Sequence, residues 1–299
     1  MKNQIKTIIL LGSLSALTLA VGAFVAPGYV YLFGVLALAM NLGAYFFSDR
    51  IVLRMHHARE IGQSEAPDLH AMVAELSQQA GIPKPRLYVI AEEQPNAFAT
   101  GRNPEHGVIA VTEGIVRILD RRELRGVLAH ELAHIKNRDI LVSSIAAAAA
   151  ALISYVAQAL SFGSLFGGSQ DGEENESSAA GGLVVALVAP LAATLIQLGI
   201  SRSREFLADE TGASISGDPE ALARALVKLE QASALVPVEA VPATASLFIV
   251  NPFGTLQTVS KWFSTHPQTH ERVERLLAMA RSGGRVVRQP SLASLAREW

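Results

Sequence analysis

The chain has 299 residues, half of them hydrophobic and only 17% charged, against about 25% charged in ordinary soluble domains. A formal net charge of −2 provides no global basic field for nucleic acid. Cysteine is absent, which excludes disulfides, thiolate-held zinc, iron–sulfur clusters and thiol catalysis, so any metal site must use His, Asp or Glu.

Four stretches carry no charged residue: 8–26, 28–47, 140–162 and 181–200. A helix of about 20 residues spans the hydrocarbon core of a bilayer, and all four are long enough. The first two are rich in Leu, Val and Phe, and predict an N-terminal transmembrane hairpin over 1–47. Lys2 and Lys6 ahead of the first stretch also suit a cleaved signal peptide, but the second apolar run follows almost at once, and a retained hairpin explains both. The third stretch contains alanines at 146–151 with Ser143, Ser144 and Gln158, and the fourth carries Pro190 and Gln197. They predict a second hairpin over 140–200, either spanning or re-entrant.

Lys and Arg set the orientation. Arg50, Arg54 and Arg59 follow the second stretch, Lys136 and Arg138 precede the third, and Arg202 and Arg204 follow the fourth. The loop 163–182 has Asp171, Glu173, Glu174 and Glu176 and no Lys or Arg. Both termini and the central region therefore read as cytoplasmic, and the acidic Gly/Ser-rich loop as external.

The region 48–139 reads as a folded cytoplasmic unit. Residues 66–80 have helical spacing at Leu69, Met72, Val73 and Leu76, ended by Gly81 and Pro83. Residues 86–90 and 107–111 read as strands, with turn chemistry at Gly101, Asn103 and Pro104 between them. Asp120 and Glu123 have capping-box spacing ahead of an apolar stripe at Leu124, Leu128, Leu132 and Ile135. In the region 201–299, Asp218-Pro219-Glu220 opens a helix to about Leu235. A further helix runs through Arg272 to Ala280, and a tail follows from Ser282.

The informative motif is His130-Glu131-Leu132-Ala133-His134. Residues four apart share one helix face, so both imidazoles can reach one metal ion. Glu131, beside the first ligand, can instead hold and deprotonate the attacking water. Neutral imidazole and carboxylate suit zinc. A catalytic zinc needs a third protein ligand, and position 140 is Ile, so a third histidine six residues on is absent. Glu205 is the candidate third ligand, with Asp209 one turn beyond placed to accept a ring N–H. Pairing of Glu205 with Arg202 or Arg204 is the structural alternative.

Together these residues resemble the HtpX family of membrane-bound zinc endopeptidases, bacterial heat-shock proteases related to the CAAX prenyl proteases. The matching segments are His130-Glu131-Leu132-Ala133-His134-Ile135-Lys136-Asn137-Arg138-Asp139, Ser203-Arg204-Glu205-Phe206-Leu207-Ala208-Asp209, Ser264-Thr265-His266-Pro267 and Asn96-Ala97-Phe98-Ala99-Thr100-Gly101. The resemblance covers nearly the whole chain. It implies one zinc held by His130, His134 and Glu205, Glu131 as catalytic base, and quality control of damaged or misassembled membrane proteins.

His266, just before Pro267, is a candidate to stabilise the oxyanion, with Arg272 in support; a helix-entry residue and a surface arginine are the alternative. His56, His57, His70, His106 and His270 lack partner spacing and read as surface or interface residues. A peptide substrate is expected to pair with an exposed sheet edge, either at Asn96, Ala97, Phe98 and Ala99 or at 107–111; an ordinary hairpin is the alternative. The expected architecture is a mainly α integral membrane protein. Four apolar helices join a cytoplasmic gluzincin-like zinc protease domain with a small β-sheet. The expected activity is that of a zinc metalloendopeptidase in the bacterial inner membrane, acting on polypeptides, without nucleic acid. No G-x-x-x-x-G-K-[ST] occurs, so no ATP partner is expected. The rival classes are a non-catalytic zinc scaffold, which would close its fourth position, and an ion transporter, which would carry ionisable residues within its spans.

Overall fold

The computed structural model describes residues 2–25, 27–147, 202–235, 247–249 and 268–283. Within these the chain is mostly helical with one small sheet. The first two apolar stretches are helices, α1 (Lys2–Val25) and α2 (Val30–Met55). They pack on each other, with Asn41 Nδ2 donating to Ser15 Oγ at 2.6 Å across the pair. α2 is long and apolar enough to cross a membrane, and only 11% of its most apolar window is buried. It continues past the apolar run: its last turns bury Val52 and Leu53 against Ile90, Phe98, Val108 and Ala110 of the sheet. Asp49 pairs with Arg86 at 3.6 Å.

The four-stranded sheet comprises β1 (Arg59–Glu60), β2 (Arg86–Ile90), β3 (Ala97–Thr100) and β4 (Val108–Thr112), in the order β1-β2-β4-β3. β2 and β4 are parallel, with Arg86 opposite Val108; β3 runs antiparallel to β4, with Ala97 opposite Val111. The expected strand at 107–111 is therefore interior, paired on both sides. It has no free edge to offer a substrate strand, and of the two expected peptide-binding segments only the one at β3 lies on an edge.

One sheet face meets α2, and the other meets α3 (Pro67–Ala80) and α5 (Arg121–Lys136). Gly81, at φ 70, closes α3 in the left-handed conformation that glycine tolerates. His70 on α3 is buried, Nε2 3.0 Å from the Ile61 carbonyl and Nδ1 2.9 Å from Lys84 Nζ. It is a core residue, rather than the surface or interface residue expected. The short α4 (Glu113–Ile118) precedes α5.

α5 is the central element. Asp120 accepts from Arg122 N–H and Glu123 N–H, and Glu123 reaches back to Asp120 N–H, completing the capping box. Val127, Leu128, Leu132 and Ile135 are fully buried. α5 packs against α6 (Arg202–Ser216) and α7 (Pro219–Leu235) as well as α3 and β3. Asp218 caps α7 through Ala221 N–H at 3.0 Å and takes two hydrogen bonds from Arg122 on α5. A final helix, α8 (Thr269–Arg281), packs on α6 and α7. The third apolar stretch begins with buried helical residues Ile140, Val142 and Ile145. Its remainder and the fourth stretch lie outside the described residues, as do the loop 163–182 and His266.

Candidate active site

The site forms where α5 and α6 cross. Gly212 makes the close crossing possible: a Cβ there would stand 2.8 Å from the Cα and N of His130. This approach brings Glu205, two turns earlier on α6, opposite the histidine face of α5.

His130 Nε2 and His134 Nε2 are 3.1 Å apart, and each lies 3.7 Å from a different oxygen of Glu205. One ligand atom from each residue fits within 4.8 Å of the others, so the three can hold a metal ion. Two imidazole nitrogens and a carboxylate oxygen form a donor set that suits zinc and leaves a fourth position open. All three sequence-predicted ligands are thus brought together.

The outward-facing nitrogens are backed by carboxylates, as metal-binding imidazoles usually are. Asp209 Oδ1 stands 3.0 Å from His130 Nδ1, along a bent approach. Asp139 Oδ2 lies 3.4 Å from His134 Nδ1. Asp139 comes within reach because Arg138 adopts a left-handed φ of 58° and Asp139 N–H returns to the His134 carbonyl at 3.0 Å. Its role beside His134 was not read from the sequence, although an acid shortly after a ligand histidine is a usable signal.

Arg272, 1% exposed, reaches in from α8. Its Nε and Nη2 each donate to Asp209 at 2.7 Å, and its Nη1 donates to the Ile249 carbonyl at 2.8 Å. Nη1 is also 3.9 Å from Glu205. Arg272 is therefore buried against the cluster rather than a surface arginine.

Glu131 is 4% exposed and faces the same cluster. Burial pushes its carboxyl up to about 7, aided by the charge of Glu205 and opposed by His134, the Ala99 backbone N–H and Arg272. Burial alone would lower His134, but Asp139, Glu205 and Glu131 outweigh it and raise the imidazole to about 9. Burial lowers His130, so that ring stays neutral more readily. Asp209 is held below its ordinary range because Arg272 overcomes the cost of burial.

The four expected substrate-binding residues adjoin this cluster but are covered. Asn96, Ala97, Phe98 and Ala99 are all buried. Phe98 and Ala99 line the site, while the Asn96 side chain accepts from Ile249 N–H at 3.2 Å. The segment 247–249 had no distinguishing pattern in the sequence.

Comparison with known proteins gives the family of the chain. Residues 63–280 match Peptidase family M48. The chain is 52% identical over 283 residues to a Protease HtpX homolog of Syntrophobacter fumaroxidans, covering 93% of this chain and 100% of that protein. It is 50% identical over 289 residues to a Protease HtpX homolog of Ralstonia pickettii, covering 95% and 99%. The crystal structure of S. mikatae Ste24p aligns with a TM-score of 0.49 at 20% identity, over 92% of this chain and 65% of that one. The family match spans the whole His130–Arg272 cluster, and the chain belongs to Peptidase family M48.

Proposed function

We propose that the protein is a zinc-dependent endopeptidase of the bacterial cytoplasmic membrane that cuts misfolded or damaged membrane proteins at cytoplasmic segments. Its family and its likeness to proteases make it a metalloprotease acting on polypeptides. The metal, the residue roles and the sidedness are our reading. The observation that carries it is the convergence of His130, His134 and Glu205 within 4.8 Å, with Glu131 beside them.

His130, His134 and Glu205 would hold one zinc ion. When bound, the ion supplies Lewis acidity toward the peptide carbonyl and lowers the pKa of water. Glu131 takes the proton of the attacking water and returns it to the leaving amine. Burial, which raises the Glu131 carboxyl, favours its taking and returning a proton. Asp209 and Asp139 orient the two imidazoles, and Arg272 keeps Asp209 ionised. His266 is assigned to hydrogen-bonding the developing oxyanion. The β3 edge, including Ala97, Phe98 and Ala99, pairs with the substrate backbone, which gives affinity with loose sequence specificity.

α1 and α2 anchor the protein in the bilayer, because lipid-facing Leu32, Val35, Leu38 and Phe46 would otherwise meet water. The second hairpin expected over 140–200 and the Lys and Arg distribution support a catalytic cluster on the cytoplasmic side. The test is hydrolysis of unfolded casein by detergent-purified protein, with a chelator and then with added zinc. Chelation should abolish cleavage and zinc should restore it; chelator-insensitive cleavage, or none at all with zinc present, contradicts the proposal.

A further inference from the structure

The His–His–Glu cluster opens onto a cavity of only about 40 Å³. That admits water but no peptide. Besides the cluster and Glu131, its walls are Phe98 and Ala99 from β3, Ile140 and Ser143, and the segment Leu247, Phe248 and Ile249. All three residues of that segment are buried. They set apolar side chains around the same cavity as Glu131 and the ligand cluster.

The segment is held by its backbone. Ile249 N–H donates to Asn96 Oδ1 at 3.2 Å, and the Ile249 carbonyl accepts from Arg272 at 2.8 Å. Asn96 is itself held at both backbone groups: its N–H donates to Thr112 Oγ1 at 2.8 Å, and its carbonyl accepts from Thr112 N–H at 2.9 Å. The donor and acceptor of one residue are thus satisfied by groups flanking the active site, in the manner of a bound peptide. Arg272 also fixes Asp209 behind His130, so the same guanidinium grips the segment and the metal-site scaffold.

We propose that residues 247–249 are a strap that fills the substrate cleft of the resting protein, and that a substrate enters by displacing it. This rests on the protease reading above and specifies its substrate. The space released is shaped by Leu, Phe and Ile against Phe98 and Ile140. The displacing polypeptide must therefore offer bulky apolar side chains in an extended stretch. Folded proteins bury such stretches and damaged ones expose them. The strap thereby makes unfolding of the substrate a condition of entry.

The chain has no cysteine, so Ile249→Cys places a single thiol on the strap. In a Glu131→Gln background, which binds without cutting, the alkylation rate of this thiol is measured alone and with a flexible peptide containing Leu-Phe-Ile. The peptide concentration is set by anisotropy to saturate the protein. The peptide should accelerate alkylation at least tenfold; an unchanged or slower rate overturns the strap. Leu247→Cys is the second reporter, read in the same way, should Ile249→Cys not fold. Adding Asn96→Ala to the reporter should raise the resting rate at least threefold, and no rise overturns the anchoring. If wild-type protein cleaves casein in a zinc-dependent way while the alkylation rate does not respond, the strap fails and the protease reading stands.

Discussion

α2 and α5 each carry an apolar face, yet they are built for opposite surroundings. α5 buries Val127, Leu128, Leu132 and Ile135 completely, between the sheet, α3, α6 and α7. α2 leaves Leu32, Val35, Leu38 and Phe46 exposed by about half or more. In α5, protein supplies the apolar surroundings, and it also supplies fixed dipoles and charges that tune His130, Glu131 and His134. In α2, these apolar side chains stay uncovered among the described residues, a face suited to a bilayer. On the proposed function, the contrast separates the part of the chain that does chemistry from the part that places it.

The largest expected effect sharpens the α5 side. Glu131→Gln should lower peptide hydrolysis by about 10²–10⁴-fold, the usual worth of a general base, while its zinc content stays at the wild-type level. Steady-state cleavage beside metal analysis checks this, and wild-type turnover would contradict the assignment.

Next comes the packing contrast itself. Leu128→Ala should destabilise the protein by about 2–5 kcal/mol, as buried leucines do. Leu38→Ala, 61% exposed, should cost less than about 0.5 kcal/mol, as at other surface positions. Unfolding in detergent micelles reads both, and equal losses would break the comparison.

The smallest effect is a pH dependence. Without metal, His134 is held protonated to about pH 9 by Asp139, Glu205 and Glu131, which outweigh its burial. Zinc must displace that proton, so apparent affinity should rise with pH, by up to about tenfold per unit between pH 7 and 9, and level off above. His130 is shifted the opposite way and adds no comparable competition. Competition titrations against a fluorescent zinc chelator at pH 7, 8 and 9 check the slope; a flat profile would show that His134 is not a ligand.

Local signals carried much of this into the sequence. The Asp120–Glu123 capping box, the strand at 86–90 and the Asp218-Pro219 helix start depend on neighbours in the chain, and each was legible there. The His130–His134 pair was legible because helical spacing alone puts both rings on one face. Glu205 needed a complementary chemical argument, since nothing local links it to α5. Other features depend on tertiary contacts that leave little local trace. β3 is four residues with two alanines and lacks the β-branched run that marks β4, although its segment 96–99 is readable as a sheet edge. Gly212 matters only because a Cβ there would stand 2.8 Å from the His130 backbone. Asp139 reaches His134 through one left-handed residue, Arg138. The seat of Ile249 between Asn96 and Arg272 joins residues distant in the chain and follows from no periodic pattern.

The central claim is that α5 and α6 share one zinc ion, and zinc stoichiometry in Glu205→Ala tests it most directly. Wild-type protein, equilibrated at limiting free zinc and analysed by mass spectrometry, should carry about one zinc per chain, as a single three-ligand site requires. Glu205→Ala should carry close to none while α5, with its capping box, stays folded. A full zinc complement in Glu205→Ala would contradict the account.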